Sequence, residues 1–447
     1  MTIDNKNFIN IIHNTLNDSK YQINDLKKKN YMSTKNNKEW FQSSRFGLFL
    51  HWGIYALPAR GEWIMSQEEI DRENYKKYFD YFDPDLFKPA QWAAMAKAAG
   101  MKYVVFTTKH HDGFCMWDTK YTDFNSAQAP QCRKDLTREV VDAFTKEGLK
   151  IGLYYSLPDW FHSEYPIDCR HPLRNASKEV SKKRNTAIYT EFLYNQVEEL
   201  LTNYGQIDII WFDGSYPELE EIWNSSELSQ MIRKKQKDII IVRLPGHEDL
   251  ATPEQHIPDN GMRDENGKLV AWEGCQVFTE GRWGYSHNNT GWKQPREVIE
   301  MLIKHTSRGG NLLLNIGPTA RGSFDKYSQN ILSKLSEWME LHNKAIYDCT
   351  VAPEDLIEPE GCRYTYNPTT NKLYLHFLSW PDRRIFLPNT ANKISYAQFL
   401  HDGSEIQMKE YDPINFHNAQ IPPGATLLSL PVVRPDVAVP VIELFLG

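Results

Sequence analysis

"QIDIIWFDG", residues 206–214, is the stretch on which the fold turns. Ile207 to Trp211 suit a buried strand apart from Asp208, and a carboxylate, Asp213, then stands directly before Gly214. An acid closing an apolar strand either caps the next element or points into a cavity. Which role applies depends on how many similar strands surround it.

Working outward, "FGLFLHWG" (46–53), "YVVFTT" (103–108), "IGLYYS" (151–156), "DIIIVR" (238–243), "WEGCQVF" (272–278) and "NLLLNIG" (311–317) read as further buried strands. Amphipathic helical patterns fall between them: 89–100, closed by Gly100, then 136–149, about 185–203, 226–236, 296–309 and about 325–344. Alternating strands and helices predict a parallel sheet covered by helices. No GxGxxG or Walker motif follows any strand, which speaks against a dinucleotide or NTP site on an open sheet. Polar residues close many different strands: His51, His110, His111, Tyr155, Asp213, Arg243 and Glu273. Only a closed sheet brings those ends to one pocket, so the spacing predicts a TIM-type (β/α)₈-like barrel over 39–347 with one irregular element. Residues 1–38, polar and rich in Asn and Lys, are expected to form an N-terminal arm. Short strand-like runs separated by Asn, Gly and Pro predict a C-terminal antiparallel β-sandwich over 348–447.

Composition narrows the function. A net charge of −7 without a basic stripe excludes nucleic acid and anionic membranes as expected partners. The six cysteines are scattered without CxxC or zinc spacing, so neither a disulfide framework nor a structural zinc site is expected. The first twenty residues lack the apolar core of a signal peptide, and no apolar run approaches a membrane span. A cytoplasmic protein is the expectation.

Among the candidate residues, Asp213 is balanced between a cap and a catalytic carboxylate. Glu273 sits in an apolar strand start, where a lone carboxylate is costly. It either pairs with an Arg or serves as a second acid, with Glu280 in "TEGRWGY" a rival. Two carboxylates in one pocket are what glycoside hydrolysis requires, one as nucleophile or base and the other as proton donor. His51, His110, His111 and Asp213 could in principle hold a metal. The absence of HxH and HExxH spacing favours neutral imidazoles that bond hydroxyls, and no metal or other cofactor is expected. Glu62 and Trp63, in "ARGEWIMS", offer an acceptor beside an apolar platform, and Arg243 could orient Asp213 or form a plain salt bridge.

Taken together, "WFQSSRFGLFLHWGIY", "GEW", "YVVFTTKHHDGFCMWDTKYTDFNS", "GLYYSLPDW", "IDIIWFDG", "WEGC", "WGY" and "GGNLLLNIGPTARG" resemble the family 29 glycoside hydrolases, the α-L-fucosidases. The resemblance runs from about Trp40 to Gly322. It implies a retaining exo-fucosidase acting on fucosylated glycans through a covalent fucosyl-enzyme, with the nucleophile at Asp213 and the acid/base at Glu273. It also implies sugar contacts from His51, Glu62, Trp63, His110, His111, Tyr155, Trp211 and Trp283. Arg243 falls beside the nucleophile, although family members often read "NDR" where this chain has "VRLPG". A related exo-glycosidase, for α-L-galactose for example, and a non-catalytic sugar-binding barrel are the alternatives. The retaining mechanism implies carboxylates about 5–5.5 Å apart.

Overall fold

The computed structural model describes residues 38–176, 183–216, 219–410 and 424–447. Apart from Lys38, the expected N-terminal arm lies outside them. Seven parallel strands form one sheet: β1 (Phe46–Leu50), β2 (Tyr103–Lys109), β3 (Lys150–Ser156), β4 (Ile209–Asp213), β5 (Ile240–Val242), β6 (Glu273–Gln276) and β7 (Asn311–Ile316). Their order is β5-β4-β3-β2-β1-β7-β6. The expected helices follow the strands, at Pro89–Ala98, Leu136–Lys146, Thr186–Asn203, Ser225–Lys235, Pro295–Thr306 and Lys326–His342.

The gap between β5 and β6 is bridged by an irregular stave. The Asp249 N–H donates to Ile241 of β5, and parallel bridges join Ala251 to Trp272 and Glu254 to Cys275. Segment 249–255 therefore takes the eighth place in the barrel without ever becoming a regular strand.

Strand alternation divides the apolar residues into two sets. Phe49, Tyr103, Val105, Tyr154, Ile209, Trp211, Ile240, Val242, Cys275 and Leu313 pack together inside the barrel. Leu48, Leu50, Val104, Phe106, Leu153, Tyr155, Ile210, Phe212 and Ile241 join the outer core beneath the helices. Gly47 allows Tyr103 to lie across the barrel floor, since a Cβ there would fall 2.3 Å from the Tyr103 ring.

The C-terminal strands are β8 (Cys362–Asn367), β9 (Lys372–Phe377), β10 (Arg384–Leu387), β11 (Ile394–Phe399), β12 (Met408–Glu410), β13 (Thr426–Ser429) and β14 (Val441–Leu446). They form two antiparallel sheets, β10-β13-β12 and β11-β14-β9-β8, around their own apolar core. Tyr374, Val439 and Val441 extend the barrel's outer core into this unit. The Trp338 indole N–H, on the last barrel helix, donates to the Val439 carbonyl at 2.9 Å. Among the described residues, no helix is long and apolar enough to cross a membrane.

Candidate active site

Asp213 ends β4 at the C-terminal mouth of the barrel, with its side chain 26% exposed. One carboxylate oxygen accepts from the Tyr154 hydroxyl at 2.8 Å, and the other lies 3.3 Å from Arg243 Nη1. Burial pushes its pKa up, but Arg243, Tyr154 and the Gly214 N–H, with His111 when that ring is charged, more than offset that and hold it below the usual range. His111 is itself neutral near pH 7, because burial drives its pKa down to about 4. The standing positive partner of Asp213 is therefore Arg243. An ionised carboxylate at the mouth is what a nucleophile requires.

Alternation from Ile240 and Val242 would aim Arg243 outward. Its backbone instead adopts φ +54°, a left-handed conformation that costs a non-glycine roughly 1–2 kcal/mol. The turn brings the guanidinium over the Trp211 ring, 4.4 Å from its centroid. Nη2 there meets Glu254 at 3.0 Å, and Nε meets the Thr252 hydroxyl at 3.1 Å. One guanidinium thus holds two carboxylates, Asp213 and Glu254, at the same mouth. Glu254, 31% exposed, rides on the irregular stave. The sequence reading passed over it, because "DLATPEQ" shows no strand alternation.

Glu273 stands elsewhere. It is the first residue of β6, paired with Asn311 at the start of β7, and is fully buried. Its oxygens accept from the Tyr103 hydroxyl at 2.5 Å and from the Trp211 indole N–H at 3.2 Å. Burial, opposed by those two bonds, raises its pKa to about 7. This is the N-terminal floor of the barrel, away from the face where strand ends converge. Glu280 lies on the loop after β6, exposed, accepting from the Thr290 hydroxyl at 2.7 Å.

The imidazoles gather where the sequence reading expected them. His51 follows β1, its ring 5.8 Å from His110 and 5.1 Å from Trp283. His110 stacks on Tyr154, and burial pushes its pKa well down. Its Nδ1 has no hydrogen-bond partner among the described residues. His111 lies 3.6 Å from Asp213 through Nε2 and meets Trp63 edge-on at 5.0 Å. Glu62 is buried, its carboxylate accepting from the Gly284 N–H at 2.8 Å, which ties the first loop to the Trp283 loop.

Tyr155 does not reach this group. Its hydroxyl donates outward to Gln196 on the Thr186–Asn203 helix at 2.9 Å, and its neighbour Tyr154 takes the inward place. The register explains the exchange: Tyr154 pairs with Trp211 and Ser156 with Asp213, so even-numbered residues of β3 share the face of the nucleophile candidate. Trp211 supports the pocket from below, its indole N–H engaged by Glu273 and its ring stacked on Tyr154. Ligand atoms of His110, His111 and Asp213 come within 4.8 Å of one another, a spacing that could admit a metal.

Comparison with known proteins bears on this arrangement. The α-L-fucosidase family profile matches residues 11–344. The chain belongs to the α-L-fucosidase family. It is 30% identical to mouse tissue α-L-fucosidase over 434 residues, spanning 89% of this chain and 88% of the mouse protein. The structure of α-L-fucosidase isoenzyme 1 from Paenibacillus thiaminolyticus superposes with a TM-score of 0.87 at 40% identity, over 92% of this chain and 99% of that one. A Bacteroides thetaiotaomicron α-L-fucosidase, trapped as a covalent intermediate with 2-fluoro-fucosyl fluoride, superposes with a TM-score of 0.80 at 26% identity, over 94% and 98% of the two chains. The chain is therefore a glycoside hydrolase by family, and barrels of this kind carry their chemistry at the C-terminal mouth.

Proposed function

We propose that the chain is a retaining exo-α-L-fucosidase in which Asp213 is the nucleophile and Glu254, in place of Glu273, is the acid/base. The observation that carries the reading is the pair of carboxylates on one guanidinium, at 3.3 Å for Asp213 and 3.0 Å for Glu254. Two acids facing one cavity supply both halves of a double displacement. Asp213 attacks the anomeric carbon while Glu254 protonates the departing glycosidic oxygen. Glu254 then takes a proton from water, which releases fucose from the covalent intermediate.

Glu273 is unsuited to that task, since a general acid must come within hydrogen-bond reach of the leaving oxygen. His51, His110, His111, Glu62 and Trp63 receive the sugar hydroxyls. Trp283, against His51 and Phe49, offers an apolar plane for the C6 methyl. Tyr154 takes the role first expected of Tyr155, and Trp211 acts from beneath. The substrate is the terminal α-L-fucose of a fucosylated glycan.

The test is hydrolysis of an aryl α-L-fucoside by the wild type and by Asp213→Ala, the variant with and without azide. The expected result is turnover by the wild type, its loss in the variant, and rescue by azide as the inverted β-fucosyl azide. A fully active Asp213→Ala enzyme would remove the carboxylate from the mechanism.

A further inference from the structure

His111 is held from both sides. Its Nδ1 lies 2.6 Å from the Ser156 hydroxyl, and that hydroxyl lies 2.6 Å from the Pro158 carbonyl. A carbonyl can only accept, so the single Ser156 hydrogen goes to Pro158 and Ser156 must accept from His111 Nδ1–H. A neutral imidazole carrying its proton on Nδ1 has a bare lone pair on Nε2. That lone pair faces Asp213 Oδ2 at 3.6 Å, acceptor against acceptor. His51 is set in the same way. Asn315 Nδ2 donates to the Trp283 carbonyl at 2.7 Å, which leaves Asn315 Oδ1 to accept from His51 Nδ1 at 2.7 Å. Burial keeps both rings neutral, with pKa values lowered to about 3 for His51 and about 4 for His111.

Two lone pairs at that separation are reconciled by a donor placed between them. A ligand hydroxyl is such a donor, and the carbon that bears it follows from Asp213. In a reactive complex the attacking oxygen stands about 3–3.5 Å from the anomeric carbon. The ring hydroxyl within reach of the same carboxylate is then the one on the adjacent carbon, C2. A hydrogen bond to the 2-hydroxyl strengthens as the transition state forms.

We infer that Ser156 is a positioning residue that fixes His111 as the Nδ1–H tautomer, so that His111 Nε2 and Asp213 Oδ2 together accept the 2-hydroxyl of the sugar. The inference rests on the reading of Asp213 as nucleophile. Without the Ser156 acceptor, His111 is free to carry its proton on Nε2 and donate to Asp213. That arrangement takes the place of the sugar hydroxyl.

The experiment compares kcat/KM for an aryl α-L-fucoside and its 2-deoxy analogue in the wild type, Ser156→Ala and Ser156→Thr. The intrinsic reactivity difference between the two sugars is common to all three enzymes and cancels in the comparison. The wild type and Ser156→Thr are expected to share one preference between the substrates, and Ser156→Ala to lose about tenfold or more of it. If Ser156→Thr does not fold, wild type against Ser156→Ala decides the matter. A Ser156→Ala enzyme slowed equally on both substrates, or one with the wild-type preference, would overturn the inference and leave the fucosidase reading standing. Absence of turnover by the wild type on either sugar would overturn the fucosidase reading, and this inference with it.

Discussion

Replacing Glu273 by Gln separates a catalytic acid from a buried structural one, and the structure sets the size of the effect. The native carboxyl titrates at about 7, raised by burial from the ordinary 4.5. Between those two values the folded chain holds a proton that the unfolded chain has released. Stability therefore falls as pH rises through the window. At about 1.4 kcal/mol per pH unit, the wild type loses on the order of 3 kcal/mol from pH 4.5 to above 7 on account of this one group.

The amide of the Glu273→Gln variant cannot ionise and is free of that loss. At the acid end a protonated Glu and a Gln can each turn a donor toward Tyr103 and an acceptor toward the Trp211 indole, the amide carrying one further N–H, so the two proteins should be close in stability. The Gln variant should then gain steadily on the wild type, approaching about 3 kcal/mol above pH 7. Urea unfolding of both proteins at four or five pH values reads the difference directly. A gap that does not change with pH would mean that native Glu273 is not protonated and that the reasoning fails. The kinetic arm is independent. Glu273→Gln should slow fucosides of good and poor leaving groups alike and by little; a loss of a hundredfold or more confined to poor leaving groups would return Glu273 to the role of acid.

Glu254→Ala should lose about 10²–10⁴ in kcat/KM on substrates whose leaving group needs protonation, while a dinitrophenyl fucoside stays close to wild type. Azide should rescue it with retention, giving the α-fucosyl azide, and an unchanged leaving-group dependence would refute the assignment. Tyr154→Phe removes a hydrogen bond to a charged oxygen, worth about 1.5–3 kcal/mol, and should reduce kcat/KM about 10- to 150-fold on the aryl fucoside. Tyr155→Phe loses only the bond to Gln196 and should cost about 1 kcal/mol of stability with kcat unchanged, so equal kinetic effects of the two would contradict the register given above. Dialysis against a chelator should leave activity intact, because Tyr154 and Arg243 already engage Asp213; loss of activity restored by a divalent cation would point to a metal at His110, His111 and Asp213.

What the sequence could and could not convey follows from the same geometry. Long apolar strands declare themselves, so all seven were legible, along with Asp213 at the end of one of them. The eighth stave was not, because its place is held by single backbone bridges and by the Asp249 carboxylate accepting from the Ile241 N–H, and neither leaves a hydrophobic period. Glu254 was lost with it. Tyr154 and Tyr155 are both fully buried aromatics, and composition cannot say which faces the cavity; only the pairing of Ser156 with Asp213 across two strands decides it. Glu273 differs: it was grouped with the residues that close strands, yet it stands near the start of "WEGCQVF", the N-terminal end that in barrels carries stability and not chemistry. The floor it occupies still serves the mouth. Glu273 fixes Trp211, Trp211 carries Tyr154 against one face and Arg243 within 4.4 Å, and those two residues hold the oxygens of Asp213. An acid buried at that end of the barrel is well placed to keep Asp213, the proposed nucleophile, in line.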